Sequence, residues 1–306
     1  MKHFNFLAIV AVIGLLFVSC EKEGKFSPNK KIDRIYASGT RELQSFDGNV
    51  WTTIQEDSSP KTLREQWNWE GDLLTSIEYH TIGYDSYNDV YYDNAYTEYY
   101  EYDDNRLVAI NWGGEPHYSI SYDHGKISKI ELFWNPESDV PSETYEFTHK
   151  NGKISEIKFY EGFYLTRPAY TMNAFRFFIP SASMASFVKV MDRVRGTMNS
   201  KNPDPSIIQF EWKGNNVKKM TYINSGHTDV IEYAYDNKLN PFYGLFNMEE
   251  FGNKPFLSKN NITSDGSCEI TYTYDGNFPV TQTCSYTITY GDERENNTSV
   301  YYYEYK

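Results

Sequence analysis

The residues able to do acid–base or metal chemistry are scattered along this chain. Beyond the first twenty residues, the histidines are His80, His117, His124, His149 and His227. No two of them have the spacing of a zinc motif, and no nucleophile signature such as Gly-x-Ser-x-Gly occurs. Carboxylates are abundant, and a glycosidase needs one suitably placed pair, but any acidic β protein offers such pairs. We therefore predict no catalytic residue, no metal site and no cofactor, with a glycan hydrolase using a carboxylate pair as the alternative.

Two cysteines flank one predicted turn. Cys268 and Cys284 are equidistant from Gly276 in the turn Asp275-Gly276-Asn277. In a hairpin with a three-residue loop they would face one another, and an oxidising compartment would let them pair. They are a candidate disulfide, with two small buried thiols as the alternative. No Cys-x-x-Cys occurs, which argues against a redox or metal motif.

The segment from Tyr84 to Asp104 is rich in tyrosine and aspartate. It lacks the glycine and the regular spacing of a calcium loop, so we favour a solvated hairpin over a calcium site. Sugars present apolar faces that stack on aromatic rings. Tyr91 and Tyr99 have the strand parity opposite to that of Tyr92, Tyr96, Tyr100 and Tyr102. Because one set should be exposed, Tyr91 and Tyr99 are candidate ligand-stacking residues, with ordinary exposed tyrosines of a polar sheet as the alternative.

The charge and the aromatic content limit the class of protein. The formal net charge is −13 and no basic cluster occurs, whereas a surface that binds phosphates needs one. We therefore predict no nucleic-acid partner. The 28 tyrosines and 6 tryptophans among 306 residues suit half-buried strands, since these side chains combine a large apolar body with a polar tip.

The first twenty residues have the pattern of an export signal. Lys2 and His3 precede an apolar run from Phe4 to Val18, which is too short for a spanning helix. The run ends in Phe17-Val18-Ser19-Cys20, which resembles the lipobox of bacterial lipoproteins. That resemblance implies a signal peptide of residues 1–19 and lipidation of Cys20, and several acyl chains make an essentially permanent anchor. The alternative is an ordinary secretory peptide with an incidental cysteine.

A charged segment follows the lipidation candidate. Residues 20–31 contain Gly24 and Pro28 among charged side chains, so we predict a flexible tether. Acidic residues directly behind Cys20 resemble the surface-export signal of lipoproteins in Bacteroidetes, with a plain solvated linker as the alternative. These resemblances imply an outer-membrane lipoprotein on the periplasmic or cell-surface side, held at the membrane through its lipid.

A hairpin repeat dominates the rest of the chain. Seven times an aromatic or apolar pair Φ-x-Φ is followed, across a polar turn, by a second apolar stretch. The full pattern Φ-x-Φ-x4-Φ-x2-Φ-x-Φ predicts one β-hairpin per copy. The copies begin at Trp67, Tyr100, Ile120, Tyr145, Phe210, Tyr233 and Tyr272.

The repeats predict an all-β fold, a long antiparallel meander of hairpins that is curled or barrel-like and removes its sheet edges. One amphipathic helix is expected as an insertion at about residues 181–199, where Met184, Phe187 and Met191 recur at helical spacing. We treat residues 32–306 as a single β-repeat domain. A true outer-membrane barrel is disfavoured, because the alternate strand positions are Thr, Glu, Lys and Ser rather than aliphatic.

Each hairpin resembles the tyrosine-aspartate repeats of bacterial wrapping proteins, in runs such as Tyr102-Asp103-Asp104-Asn105-Arg106-Leu107. Together with the lipobox, the pattern is similar to a group of Bacteroidetes lipoproteins with a porin-like β fold. This resemblance implies a fold and brings no activity. We therefore expect a lipid-anchored cell-envelope protein that acts as a binding or scaffolding module for a glycan or protein ligand. The alternatives are the hydrolase and a structural subunit of an outer-membrane assembly.

Overall fold

The computed structural model describes residues 23–26, 28–85, 90–113, 117–133, 138–161, 205–224, 226–245, 257–266 and 268–306; of residues 81–85, 90–94, 117 and 161 it describes the backbone alone. The predicted signal peptide, Cys20 and the predicted helix at about 181–199 lie outside these residues. Within them, no helix has the length and apolar character needed to cross a membrane.

The described chain forms 17 β-strands. They are β1 Ile32–Phe46, β2 Trp51–Glu70, β3 Leu73–Asp85, β4 Val90–Asp103, β5 Arg106–Asn111, β6 His117–Asp123, β7 Lys126–Phe133, β8 Glu143–Lys150, β9 Lys153–Glu161, β10 Ser206–Lys213, β11 Asn216–Asn224, β12 His227–Glu232, β13 Ala234–Leu239, β14 Asn260–Ser264, β15 Glu269–Asp275, β16 Phe278–Tyr290 and β17 Glu293–Tyr305.

The strands make one antiparallel meander whose ends meet. Each strand from β1 to β11 pairs with the next one, and so does each strand from β13 to β16. Only Tyr233 separates β12 from β13, and its N–H donates to the carbonyl of Lys218 at 3.0 Å. β17 pairs in turn with β1, from Ile32 opposite Tyr305 to Ser45 opposite Glu293. The predicted all-β, barrel-like meander is confirmed.

Tight two-residue turns close six of the seven repeat hairpins and the β16–β17 hairpin, whereas the copy that begins at Tyr233 has a longer connection from β13 to β14. In three of them both turn residues have positive φ, as in Asn151 (54°) and Gly152 (80°), which defines a type I′ turn. In four others a glycine with φ between 55° and 61° comes first and no positive φ follows, which defines type II′. These glycines are Gly71, Gly214, Gly276 and Gly291. Both turn types match the strand twist, so the polar turn residues fix the register of each hairpin.

A β-bulge after the turn of each of these six repeat hairpins explains the three-residue step in the repeat. Trp69 lies opposite Leu74 and Asn68 lies opposite Ser76, so Thr75 is an extra residue without a cross-strand partner. The bulge lets Leu74 and Ile77, three positions apart, both point inward and be buried. The extra residues at the corresponding positions of other hairpins are Val108, Ser128, Ser155, Lys218 and Val280.

The second aromatic residue of a repeat caps a carbonyl at the bulge of the preceding hairpin. Tyr102 donates its hydroxyl hydrogen to the carbonyl of Leu74 at 2.8 Å, and Tyr122 does the same to Leu107 at 2.6 Å. The same bond joins Trp212 to Ile154, Tyr235 to Val217 and Tyr305 to Pro279. Bulged backbone needs such partners when it is buried. Much of the aromatic content of the chain is therefore structural, and it ties each hairpin to its neighbour.

Inward side chains from all around the meander form one apolar core. Trp67, Ile77, Ile110, Tyr145 and Ile208 are fully buried in it. The segment between β13 and β14 adds Phe242, whose ring lies 6.2 Å from that of Trp67 and 5.9 Å from that of Tyr303. A smaller apolar cluster lies beside β14–β16 and contains Ile262, Cys268, Ile270 and Cys284.

Part of the segment predicted to be a flexible tether is packed against the sheet. It consists of residues 23–26, here called the N-terminal clip. The backbone carbonyl of Gly24 accepts a hydrogen bond from the N–H of Leu107 at 3.0 Å. Phe26 is 8% exposed and its ring lies 5.9 Å from that of Trp69. The Glu23 carboxylate accepts from the N–H of Ile127 at 2.8 Å. One buried aromatic and these bonds offset the flexibility suggested by glycine and charge.

Four strands continue past the ring as a four-stranded extension, made of residues 39–46, 51–59, 285–290 and 293–299. There β2 pairs with β1, β1 with β17, and β17 with β16. Pairing of β2 with β3 begins only at Glu65, and pairing of β15 with β16 reaches only Ser285. The extension consequently has two outer strands, β2 and β16.

Candidate functional site

The exposed aromatic surface predicted from strand parity is present at Tyr99. This tyrosine lies in β4, its neighbours Glu98 and Tyr100 point into the core, and 45% of its surface is exposed. Tyr91 lies in the same strand, opposite Tyr84, and its side chain is outside the described residues. The structure thus places one of the two candidate ligand-stacking residues on the outer face.

Tyr99 lies in a transverse row of polar residues that crosses four strands, here called the Tyr99 row. Asn68 of β2 lies opposite Ser76 of β3, Ser76 opposite Tyr99, and Tyr99 opposite Asn111 of β5. The register is set by the bulge that turns Ser76 outward. An aromatic ring is thereby flanked on both sides by amide or hydroxyl groups.

The polar groups of this row are held by hydrogen bonds to one another. The Asn68 amide donates to Ser76 Oγ at 3.1 Å, and the Asn111 amide donates to the Glu101 carboxylate at 2.6 Å. The backbone N–H of Gly113 donates to Asn111 Oδ1 at 3.2 Å. Gly113 has φ 73°, and a Cβ there would lie 3.7 Å from Tyr99 Cε2. Because residue 113 has no side chain, it does not cover that edge of the ring.

This arrangement offers an aromatic ring for stacking and polar groups for hydrogen bonding, the two contacts that a sugar uses. A pyranose presents an apolar face to an aromatic ring and hydroxyls around its rim. Asn111 and Glu101 supply polar groups beside Tyr99, and Asn68 supplies an amide one strand further away, held by Ser76, which is only 9% exposed. The bonds among these residues limit the rotamer freedom that a ligand would otherwise have to freeze. Sequence reasoning missed the flanking polar residues, because their proximity depends on the register between hairpins.

Inside the ring, three buried glutamates lie next to the apolar core. Glu65, Glu98 and Glu143 are 8%, 0% and 4% exposed. Each accepts a hydrogen bond from the aromatic residue two positions later in its own strand, namely Trp67, Tyr100 and Tyr145. Glu98 also accepts from Tyr79 and Trp112. The sequence signal was a glutamate two residues before the first aromatic of three repeats.

These carboxylates anchor aromatic donors, which is a structural use. Buried donors that lose an acceptor cost free energy, so a glutamate that serves three of them stabilises the packing of three strands. Across the part of the chain that the structure describes, no three His, Cys, Asp or Glu side chains come close enough together to hold a metal ion. The alternative function, a glycan hydrolase that uses a carboxylate pair, stays a prediction.

The histidines take separate structural places. His149 Nε2 lies 3.1 Å from the Glu23 carboxylate of the N-terminal clip. His124 is the first residue of a type I′ turn, with φ 48°, beside Asp123 at 2.7 Å. His80 lies 3.4 Å from Glu78. The side chain of His117 is outside the described residues.

The two cysteines share a buried face, but the predicted register between them is wrong. The turn contains only Gly276 and Asn277, and Val280 is a bulge, so Cys284 lies opposite Ile270 rather than Cys268. Both cysteines are 4% exposed. A hydrogen bond with Cys268, together with burial, raises the pKa of the Cys284 thiol well above its ordinary value. Disulfide pairing stays a prediction.

Comparison with known proteins adds one structural similarity. No protein-family model and no curated protein matches the chain. A crystal structure of a porin-like protein from Bacteroides uniformis is similar over 87% of this chain and 97% of its own chain, with 10% identity and a TM-score of 0.48. At that score the similarity carries no argument, and the architecture rests on the strand pairings. Membership of the lipoprotein family indicated by the repeats stays a prediction.

Proposed function

We propose that this chain is a lipid-anchored protein of the bacterial cell envelope whose sheet binds a glycan through the Tyr99 row. The observation that carries the proposal is an exposed tyrosine whose direct cross-strand neighbours are Ser76 and Asn111, with Asn68 one strand beyond Ser76, in a register fixed by bulges. Most other repeat aromatics point inward, where they fill the core or cap bulges, so an outward ring with oriented polar neighbours fits recognition better than packing.

The test of glycan binding uses a matched pair of variants. The protein is titrated with a panel of host and bacterial polysaccharides, followed by affinity electrophoresis and tryptophan fluorescence. Tyr99→Ala should weaken binding by roughly 1–3 kcal/mol, as expected for the loss of an aromatic anchor. Tyr160→Ala is the control, because Tyr160 is also an exposed strand tyrosine, at 37%, and its hydroxyl donates to Glu146 on a distant part of the ring.

The outcomes separate the candidate functions. Equal binding by the Tyr99→Ala and Tyr160→Ala variants would remove the Tyr99 row as the site. Production of new reducing ends from a polysaccharide would support the hydrolase instead. Absence of binding across the whole panel would favour a protein ligand or a structural subunit of an outer-membrane assembly.

The anchor is tested separately, since it rests on the lipobox resemblance. Cys20→Ala should move the protein from the membrane fraction to the soluble fraction and abolish metabolic labelling with a fatty acid. Unchanged labelling in that variant would show that Cys20 is not the lipidated residue. Glycan binding by the Tyr99 row does not depend on this result.

A further inference from the structure

The two outer strands of the four-stranded extension differ in how they are protected. On β2, Pro60 lacks a backbone N–H and the charged residues Glu56, Asp57 and Lys61 follow the edge. Proline and charge are the usual means by which an edge strand is kept from pairing with another chain. This edge is therefore blocked against strand addition.

The edge of β16 carries no such protection. Its end, Tyr286–Tyr290, reads Tyr-Thr-Ile-Thr-Tyr, with no charge, no proline and no glycine. Pairing with β15 stops at Ser285, and no other strand described in the structure pairs with this edge. Tyr290 is 64% exposed. Residues of these types favour strands, and alternate backbone N–H and C=O groups of an outer strand point away from its sheet.

The five-residue sequence reads the same in both directions about Ile288. In an antiparallel pair with a two-fold axis at that residue, Ile288 faces Ile288 of a second copy, Thr287 faces Thr289, and Tyr286 faces Tyr290. Threonine pairs and aromatic pairs directly opposite one another stabilise antiparallel strands. The same pairing along β2 would place Glu56 and Asp57 near their own copies, which is unfavourable.

We infer that two copies of this chain associate through Tyr286–Tyr290 of β16, and that the two four-stranded extensions join into one eight-stranded sheet. Uncharged, self-complementary side chains select a second copy over an unrelated extended peptide. A two-fold axis buries the same patch on both copies and closes the assembly at a dimer. The Tyr99 row lies on β2–β5 and takes no part in this contact.

The contact is short, so the dimer forms reversibly. Five residues span about 17 Å of strand, and a contact of this length buries less surface than the roughly 1,600 Å² of a standard interface. Confinement at a membrane surface would raise the effective concentration and favour the dimer. In solution, association should therefore depend strongly on protein concentration.

The test uses charges placed at the two exposed threonines. The full-length protein in mild detergent is studied by sedimentation equilibrium over a range of concentrations. In Thr287→Lys/Thr289→Lys, two lysine pairs face one another across the axis, which should weaken the dimer about tenfold or more. In Thr287→Glu/Thr289→Lys, each glutamate faces a lysine, so dimerisation should return at low salt. Circular dichroism and melting temperature verify that both variants fold.

The Thr287→Glu/Thr289→Lys variant tests the register of the strand pair as well as the location of the contact. Recovery of the dimer in that variant but not in the double-lysine variant supports pairing centred on Ile288. A wild-type mass that stays that of one chain at every concentration overturns the inference. So does a double-lysine variant that associates as strongly as the wild type, because the contact would then lie elsewhere.

Discussion

Substituting alanine for Gly24 should release the N-terminal clip. Gly24 has φ 80°, and an ideal Cβ there would lie 2.0 Å from the hydroxyl oxygen of Tyr122 and 2.8 Å from its Cζ. Non-glycine residues reach this left-handed region at a cost of about 1–2 kcal/mol. Tyr122 has little freedom to move away, since its hydroxyl donates to the carbonyl of Leu107 at 2.6 Å.

The magnitude follows from how little free energy holds the clip in place. Burial of Phe26 contributes about 2 kcal/mol. The bonds of Gly24 and Glu23 to backbone N–H groups contribute roughly 1 and 2 kcal/mol. Ordering four residues costs about 4–8 kcal/mol, so the docked and released clips are close in free energy. A strain of 1–2 kcal/mol then raises the ratio of released to docked clip by a factor of about 5–30, so that the released form predominates, before the contact with Tyr122 adds its own cost.

Limited trypsin digestion measures the fraction of molecules with a released clip. Cleavage after Lys25 is followed, and the products are identified by mass spectrometry. The rate of cleavage follows the population of the released clip when docking is fast. Gly226→Ala is the matched control, because Gly226 has nearly the same φ, 83°, and no atom lies within 4 Å of its Cβ position. If Gly24→Ala is cleaved no faster than Gly226→Ala, the steric reasoning is wrong.

Three further predictions concern buried side chains. Glu98→Ala removes the acceptor of two buried donors, Tyr79 and Tyr100, and of the half-buried Trp112, and should destabilise the protein by roughly 3–6 kcal/mol in denaturant unfolding. Glu98→Gln keeps one acceptor oxygen and should cost less; equal costs for the two variants would contradict this expectation. Burial raises the pKa of the Tyr235 hydroxyl from 10.0 to about 12. The contribution of this hydroxyl to stability is complete below pH 10 and is lost as the pH rises through about 12. An alkaline absorbance titration should therefore show buried tyrosines of this kind ionising at high pH, together with unfolding. If Cys268 and Cys284 are paired in protein from the envelope, no thiol titrates in denaturant once Cys20 is excluded, and reduction lowers stability by at most about 3 kcal/mol; two titrating thiols would refute pairing.

The repeat made most of the sheet predictable, but it did not predict the positions of the bulges. The copy from Tyr100 to Trp112 forms the hairpin expected from its alternation. The step of three residues between Leu107 and Ile110 carried the information for a bulge, but sequence periodicity alone does not say which residue loses its partner. The same omission caused the wrong cysteine register, since one extra residue at Val280 moves the opposite strand by one position.

For the candidate site, strand parity predicted that Tyr99 is exposed, but it did not predict the polar residues near the tyrosine. The alternation along β4 was enough to place Tyr99 outside. Ser76 and Asn111 lie opposite Tyr99, and Asn68 lies one strand further away, opposite Ser76. The pairings of Asn68 with Ser76 and of Tyr99 with Asn111 each lie next to a bulge. The N-terminal clip was missed for a different reason. Its composition resembles a linker, and its docking depends on the tertiary positions of Trp69 and Leu107.

The pairing of β1 with β17 sets the order of events when the protein is made. β1 has a local partner in β2, but its other edge from Ile32 to Ser45 waits for the strand that comes latest in the described chain. Contacts between segments so distant in sequence form slowly. A nascent chain therefore stays incompletely folded, with open strand edges, until β17 has been made. Until then, the unpaired edge of β1 is open to pairing with the wrong extended segment.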